Sequence, residues 1–296
     1  EYMKRRGKHI ISSTVEHDAI RKSLDELEKR GFEVTRLKPD ASGAIPVQSV
    51  VDALRDDTIL VSLMMVNNET GAVTDISAVS RELKRAGSQA LLHTDAVQGF
   101  MKVPFRAKTL GADMISISGH KIHAPKGIGA LYIRAGLKLK PFIVGGSQES
   151  GMRAGTEAMP QIAAFGAASE IAYAGMKENV ARMAALRERA VSRLEQDIPE
   201  LRVISSADSA PHILSISLPG WRSEVLMNYL EARGVYVSRS SACKKGGRSH
   251  VLEAVGLDAK TIDGAIRVGL SRLTTEEDID ALCIALRDAH DTLAHR

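Results

Sequence analysis

Cysteine is nearly absent: the 296 residues contain two, Cys243 and Cys283. Two cysteines cannot build a disulfide framework, and no Cys-x-x-Cys or His-x-x-x-His spacing points to a metal site. Long apolar runs are missing as well. No stretch approaches the ~18 consecutive apolar residues that a membrane-spanning helix needs, and no basic-then-apolar leader opens the chain. Cytoplasm is the expected compartment. There is no basic arm either; the net charge of +4 is spread along the sequence, so neither nucleic acid nor a membrane is an expected partner. What remains is an ordinary globular composition, 44% apolar and 26% charged, in a length that suits two domains of roughly 150 residues. The chain does not begin with Met, and a strand-like run (Lys8-His9-Ile10-Ile11-Ser12-Ser13) is reached almost at once. An upstream part is therefore expected to be missing.

The first half alternates strand-like and helical patterns. Residues 10–13 read as a strand and 16–30 as a helix with Ile20, Leu24 and Leu27 on one face, stopped by Gly31. Strands follow at 33–37, 58–66, 90–93, 113–118 and 129–134, with helices over 46–54 and 76–86. Continuous apolar strands alternating with helices predict an α/β fold, a mostly parallel sheet with helices on both faces. After Gly151-Met152-Arg153-Ala154-Gly155-Thr156 the texture changes. A long helical stretch over 160–198, broken near Gly175, leads to a strand at 213–218, a helix at 223–233, a strand at 235–238 and a last helix from Thr275. The predicted division is a large domain over 1–175 and a smaller α+β C-terminal domain over 176–296.

Ligands of parallel sheets collect at the carboxyl ends of the strands, and three polar clusters stand there. They are Asn67-Asn68-Glu69 after Val66, Asp95 and Gln98 after His93, and Ser118-Gly119-His120-Lys121 after Ile117. Taken singly, each has an ordinary structural reading. A strand-terminal Asp caps helices and forms turns, a lone Lys is solvated, and His120 and His123 satisfy local hydrogen bonds. Together they fit one cofactor. Pyridoxal phosphate needs a lysine to hold its aldehyde as an imine and a carboxylate to keep its pyridine nitrogen protonated. It also needs an imidazole or aromatic face, a donor to the ring oxygen, and hydroxyls or amides for the phosphate. Lys121, Asp95, His17, Gln98 and Ser118 supply these in that order.

The segments His93-Thr94-Asp95-Ala96-Val97-Gln98, Ser118-Gly119-His120-Lys121 and Gly151-Met152-Arg153-Ala154-Gly155-Thr156-Glu157 resemble those of the cysteine desulfurases. That family lies in the class V aminotransferase group of fold-type-I pyridoxal-phosphate enzymes. Val66-Asn67-Asn68-Glu69-Thr70-Gly71 and Ser240-Ser241-Ala242-Cys243 match in the same order, so the resemblance covers nearly the whole chain. It implies that Lys121 carries the cofactor, Asp95 pairs with the pyridine nitrogen, His17 stacks on the ring and Gln98 bonds the ring hydroxyl. Asn68 would reach both cofactor and substrate, Ser118 and His120 would hold the phosphate, and Thr156 would approach the phosphate of a neighbouring subunit in a homodimer. Arg267 would bind the substrate carboxylate, as a bidentate fork suits it.

The implied reaction turns L-cysteine into L-alanine and leaves a persulfide on Cys243, for passage to an acceptor such as an iron–sulfur scaffold protein. Lys244, Lys245 and Arg248 follow Cys243; nearby cations lower a thiol's pKa, and Gly246 and Gly247 allow movement. Cys283, within an amphipathic helix, reads instead as a buried small hydrophobe. The loop before Ser249-His250-Val251-Leu252 is about two residues shorter than the family's long form. The family's glycine-rich phosphate turn has no counterpart upstream of His17. Two other readings stand beside this one: another class V lyase or transaminase, acting on selenocysteine or cysteine sulfinate, and an inactive subunit that binds a partner.

Overall fold

The computed structural model describes residues 6–239 and 247–293. Its first part runs β1 (His9–Ser13), α1 (Asp18–Lys29), β2 (Glu33–Leu37), α2 (Val47–Asp52), β3 (Thr58–Met64), α3 (Ile76–Arg85), β4 (Leu91–Asp95), α4 (Ala107–Leu110), β5 (Met114–Ser118) and β6 (Gly129–Ile133). The second part runs α5 (Met159–Ala174), α6 (Met176–Asp197), β7 (Arg202–Val203), β8 (Ile213–Ser217), α7 (Ser223–Glu231), β9 (Ser238–Arg239), α8 (His250–Val255), α9 (Ala259–Asp263), β10 (Ala265–Gly269) and α10 (Glu276–Thr292).

The first six strands form one sheet in the order β2-β1-β3-β4-β5-β6. Five are parallel, and β6 runs antiparallel to β5. A parallel return needs a crossover of a dozen or more residues, and only residues 119–128 separate these two strands. Side chains alternate across a strand, so neighbouring Ile10 and Ile11 serve opposite faces. Ile10 packs with Leu24 of α1, Phe32 and Ile59, while Ile11 packs with Val61 and Leu63 of β3 and Val79 and Leu83 of α3. The sheet is thereby covered on both faces, as its apolar strands require.

Two histidines tie adjacent strands from inside the sheet. His9 of β1 bonds Thr58 of β3 and Thr35 of β2, each at 2.8 Å. His93 of β4 bonds Ser62 of β3 at 2.8 Å and Ser116 of β5 at 2.9 Å. Burial pushes the His93 imidazole down to about 4, so it stays neutral and can serve one donor and one acceptor.

The second sheet is antiparallel throughout, in the order β7-β8-β10-β9. Leu186 and Leu194 of α6, Leu226 and Leu230 of α7, and Leu282 and Leu286 of α10 close over its Ile216 and Ile266. Ala210, Ile213 and Val251 join the core of the first sheet instead, which fastens the two layers together.

Several boundaries differ from the sequence reading. The strand expected over 58–66 leaves the ladder at Met64, because Val66 turns to bridge Val73 and closes a loop between them. The helix expected from Glu16 begins at Asp18: Glu16 is buried and His17 is the N-cap. The strand expected over 235–238 is displaced to Ser238–Arg239, since Val235 and Val237 pack against the second core without a ladder partner. The break near Gly175 is present, separating α5 from α6.

Glu16 joins the carboxyl ends of β1 and β3. Its Oε1 accepts from Ser13 Oγ at 2.6 Å and from the Met64 amide at 3.0 Å. Complete burial pushes its carboxyl up to about 8, so the folded chain holds a proton that an unfolded chain releases near 4.5. Stability from this group is fully present below pH 4.5 and is lost as pH rises towards 8. Thermal unfolding of the wild type should therefore show a falling Tm across that interval, and Glu16→Gln should flatten the slope. An equal slope in both proteins would contradict the assignment.

Candidate active site

The carboxyl ends of β1, β3, β4 and β5 open into one cavity of about 320 Å³, at the small end of the ~300–1,000 Å³ typical of small-molecule sites. His17, Asn68, Asp95, Gln98, Ser118 and Lys121 line it, together with His120 and Arg267. Eight residues singled out in the sequence thus meet in one place. Thr156 is exposed and does not line this cavity. Cys243 lies outside the described residues.

Each side chain is delivered by a local device. His17 caps α1, its Nδ1 accepting from the Ala19 amide at 3.2 Å. Asp95 ends β4; its Oδ1 accepts from the Val97 amide at 3.0 Å, and burial raises its carboxyl above the ordinary range. A cation placed against it would reverse that shift. Lys121 sits in a single 3-10 turn, Gly119–Ile122, between β5 and β6. Gly119 permits that turn to nest: a Cβ there would stand 2.8 Å from Ile128 and 3.1 Å from Ala124. Ser118 precedes the turn and His120 lies within it, and the two bond each other at 2.8 Å.

Arg267 arrives from the other sheet. It lies on β10, and its Nη1 donates to the backbone carbonyl of Asn68 at 2.6 Å. The loop 67–71 that receives it is braced from within, since Asn67 Oδ1 accepts from the Glu69 and Thr70 amides at 2.9 and 3.0 Å. Gly71 adopts a φ of +77° there, and a Cβ would meet Ile213 at 3.2 Å.

The sequence reading did not assign five further ionisable residues that line the same cavity: Glu16, Asp18, Glu69, Arg248 and His250. Glu69 had a signal in its strand-terminal motif, but nothing in the sequence announced its partner 180 residues away. Ser249 Oγ donates to Glu69 Oε2 while capping α8 through its own bond from the Leu252 amide at 3.1 Å. Burial pushes the Glu69 carboxyl up to about 7, opposed by Ser249 and by nearby Arg267.

The donor set fits pyridoxal phosphate. A buried carboxylate awaiting a cation, an amine, an imidazole at the mouth, an amide and a hydroxyl–imidazole pair face one mostly apolar cavity. Among the described residues no His, Cys, Asp and Glu group could hold a metal ion, and no helix is long and apolar enough to cross a membrane.

Replacing Glu69 by Ala strands the buried Ser249 hydroxyl and removes a charge partner of Arg267. A loss of about 1–3 kcal/mol in urea unfolding is expected; an unchanged midpoint would show that the contact contributes nothing net.

Comparison with known proteins agrees with this geometry. The family model described as aminotransferase class-V matches residues 1–282. The chain is 45% identical over 276 residues to "Cysteine desulfurase 2" of Trichormus variabilis, which covers 92% of this chain and 69% of that protein. It is 40% identical over 278 residues to "Cysteine desulfurase IscS" of Methanosarcina thermophila, covering 93% and 68% respectively. Among solved structures, a "NifS-like protein" superposes with a TM-score of 0.92 at 35% identity, over 99% of this chain and 77% of that one. DndA from Streptomyces lividans gives 0.76 at 36% identity, over 91% and 77%. The chain belongs to the class-V aminotransferase family and, within it, to the cysteine desulfurases.

Proposed function

We propose that this chain is a pyridoxal-phosphate-dependent cysteine desulfurase that converts L-cysteine to L-alanine and takes the sulfur onto Cys243. The observation that carries the reading is the single cavity in which Lys121 and Asp95 from the first sheet meet Arg267 from the second. When bound, the cofactor supplies a conjugated ring that accepts electrons from the substrate's α-carbon.

The roles assigned to the residues follow from their chemistry. Lys121 would hold the cofactor aldehyde, and its Nζ is the amine placed to move a proton at the substrate's α-carbon. Asp95 would keep a proton on the pyridine nitrogen, Gln98 would donate to the ring hydroxyl and His17 would cover the ring. Ser118 and His120 take phosphate oxygens, and Thr156 takes those of a neighbouring subunit. Arg267 clamps the substrate carboxylate beside Asn68, a task its planar fork performs better than lysine would.

Sulfur transfer needs a thiolate. Cys283 is unsuited: it is fully buried in α10, and burial pushes its thiol up to about 11. Cys243 is the remaining thiol, in a segment with Lys244, Lys245 and Arg248. Its thiolate would attack the substrate Sγ: an S–S bond forms, the C–S bond breaks with its electron pair left on the β-carbon, and that carbon takes up a proton to become the methyl group of alanine. The persulfide then passes to an acceptor, for which an iron–sulfur scaffold protein is our assignment.

A homodimer is the proposed assembly. It is supported by α5, an apolar helix with no buried residue, and by Phe142 and Val144 near it in sequence, 95% and 77% exposed. We keep the domain boundary between residues 175 and 176, at the break between α5 and α6. The cytoplasm is the proposed location, a compartment in which a catalytic thiol stays reduced.

Two variants test the reading. Wild-type protein supplied with pyridoxal phosphate should develop visible absorbance, and Lys121→Ala should not; pigment retained in the variant would remove Lys121 from its role. Cys243→Ala should keep the pigment while alanine formation from L-cysteine falls by on the order of 10³-fold or more. Alanine formation at the wild-type rate would show that Cys243 is not the acceptor.

A further inference from the structure

A second concavity, of about 290 Å³, opens at the β9 edge of the second sheet and carries three arginines. Arg222 precedes α7, Arg239 ends β9 and Arg248 stands just before α8. Apolar side chains come only from Ile262 and Ala265, so the space suits a charged occupant. Two carboxylates answer the three guanidiniums. Arg239 Nη1 donates to Glu224 Oε1 at 2.6 Å, and Arg248 grips Asp263 through Nε and Nη2 at 2.8 and 2.9 Å. Arg222 forms no ion pair among the described residues. It acts on Asp263 from farther off, adding to the hold by which Arg248 keeps that carboxyl below its ordinary range. Three cations against two anions leave the lining with a surplus of positive charge.

Arg239 and Gly247, which both line this pocket, stand on either side of the segment 240–246. Cys243 is four residues from each in sequence, which keeps the sulfur it would deliver within reach of the pocket's rim. The same segment contributes Lys244 and Lys245. Arg248 lines this pocket and the main cavity alike, so the two spaces share a wall. We propose that the pocket is a docking point for an acidic segment of the sulfur-accepting protein, whose carboxylates are held by Arg222 and Arg239.

Charge complementarity selects the occupant. Guanidinium forks bind carboxylates with two parallel hydrogen bonds, and Arg222 is exposed at the rim, where a partner's side chain can reach it. The pairs already present do not close the pocket. In the Arg239–Glu224 pair the side chains are 30% and 64% exposed. Ion pairs so open to solvent contribute little, so an incoming carboxylate can share Arg239 with Glu224. A surplus of cations beside the thiol segment would also draw an acidic partner in, and salt would weaken that attraction.

This inference rests on Cys243 carrying the persulfide, and the experiment separates the two claims. The full chain, loaded with pyridoxal phosphate, is treated with L-cysteine, desalted and mixed at low ionic strength with a probe peptide. One probe is a cysteine peptide with an aspartate tail, and the other is its asparagine counterpart. The peptide thiolate attacks the outer sulfur of the persulfide; a new S–S bond forms, the old one breaks, and Cys243 leaves as a thiolate. Mass spectrometry follows the peptide persulfide. The acidic-to-neutral ratio of rates is compared between proteins, so differences in loading and in peptide reactivity cancel. Arg222→Glu should lower that ratio about tenfold and Arg222→Gln about threefold. Arg85→Glu, the same charge change on α3 and outside both cavities, should leave it unchanged. A wild-type ratio in both Arg222 variants, or an equal fall in Arg85→Glu, would overturn the proposal. No persulfide at Cys243 in the wild type would overturn the assignment of that thiol, and the docking point with it.

Discussion

The loop 67–71 is the contact on which the rest of the site depends. It leaves β3 at the carboxyl edge of the first sheet, and the second sheet's segments bond to it one after another. Arg267 of β10 takes the Asn68 carbonyl, Ser249 at the start of α8 takes the Glu69 carboxylate, Ser205 takes the Thr70 carbonyl at 2.6 Å, and the Ala210 amide takes the Gly71 carbonyl at 2.8 Å. The same loop reaches back to the turn that follows β1, where Asn67 Nδ2 donates to the Val15 carbonyl at 3.0 Å. Arg267 on one sheet and Lys121 beside the other can line one cavity only if the sheets are held in register. These bonds supply that register, and each is buried or partly buried, where an unmade bond is costly.

Burial also sets the electrostatics. Glu16, Glu69 and Asp95 are three carboxyls around one cavity, all raised by desolvation. Lys102 and His212 are lowered for the same reason.

Much of this was legible in the sequence because the motifs are short and local. His93-Thr94-Asp95 ends a strand, Ser118-Gly119-His120-Lys121 ends the next, and parallel sheets bring such ends together. The alternation of apolar strands and helices was equally plain. What the sequence hid is long-range. Nothing about Ser249 in the chain points to Glu69. The short elements α8, α9 and β10 fall below the length at which periodicity speaks, so Arg267 was found through its motif rather than its strand. Glu16 was hidden for another reason: it fits a helix pattern, yet its carboxyl is buried between two strand ends, where tertiary packing overrides local propensity.

The account places one lysine and one thiol in a single reaction, and isotope tracing addresses that most directly. Wild-type protein loaded with pyridoxal phosphate is given L-cysteine bearing ³⁴S for a single turnover, with alanine quantified and the protein digested for mass spectrometry under non-reducing conditions. The account predicts one alanine formed for each ³⁴S atom retained, with the label on the peptide that contains Cys243. Label on Cys283, or pyruvate and free sulfide in place of alanine and a labelled peptide, would contradict it.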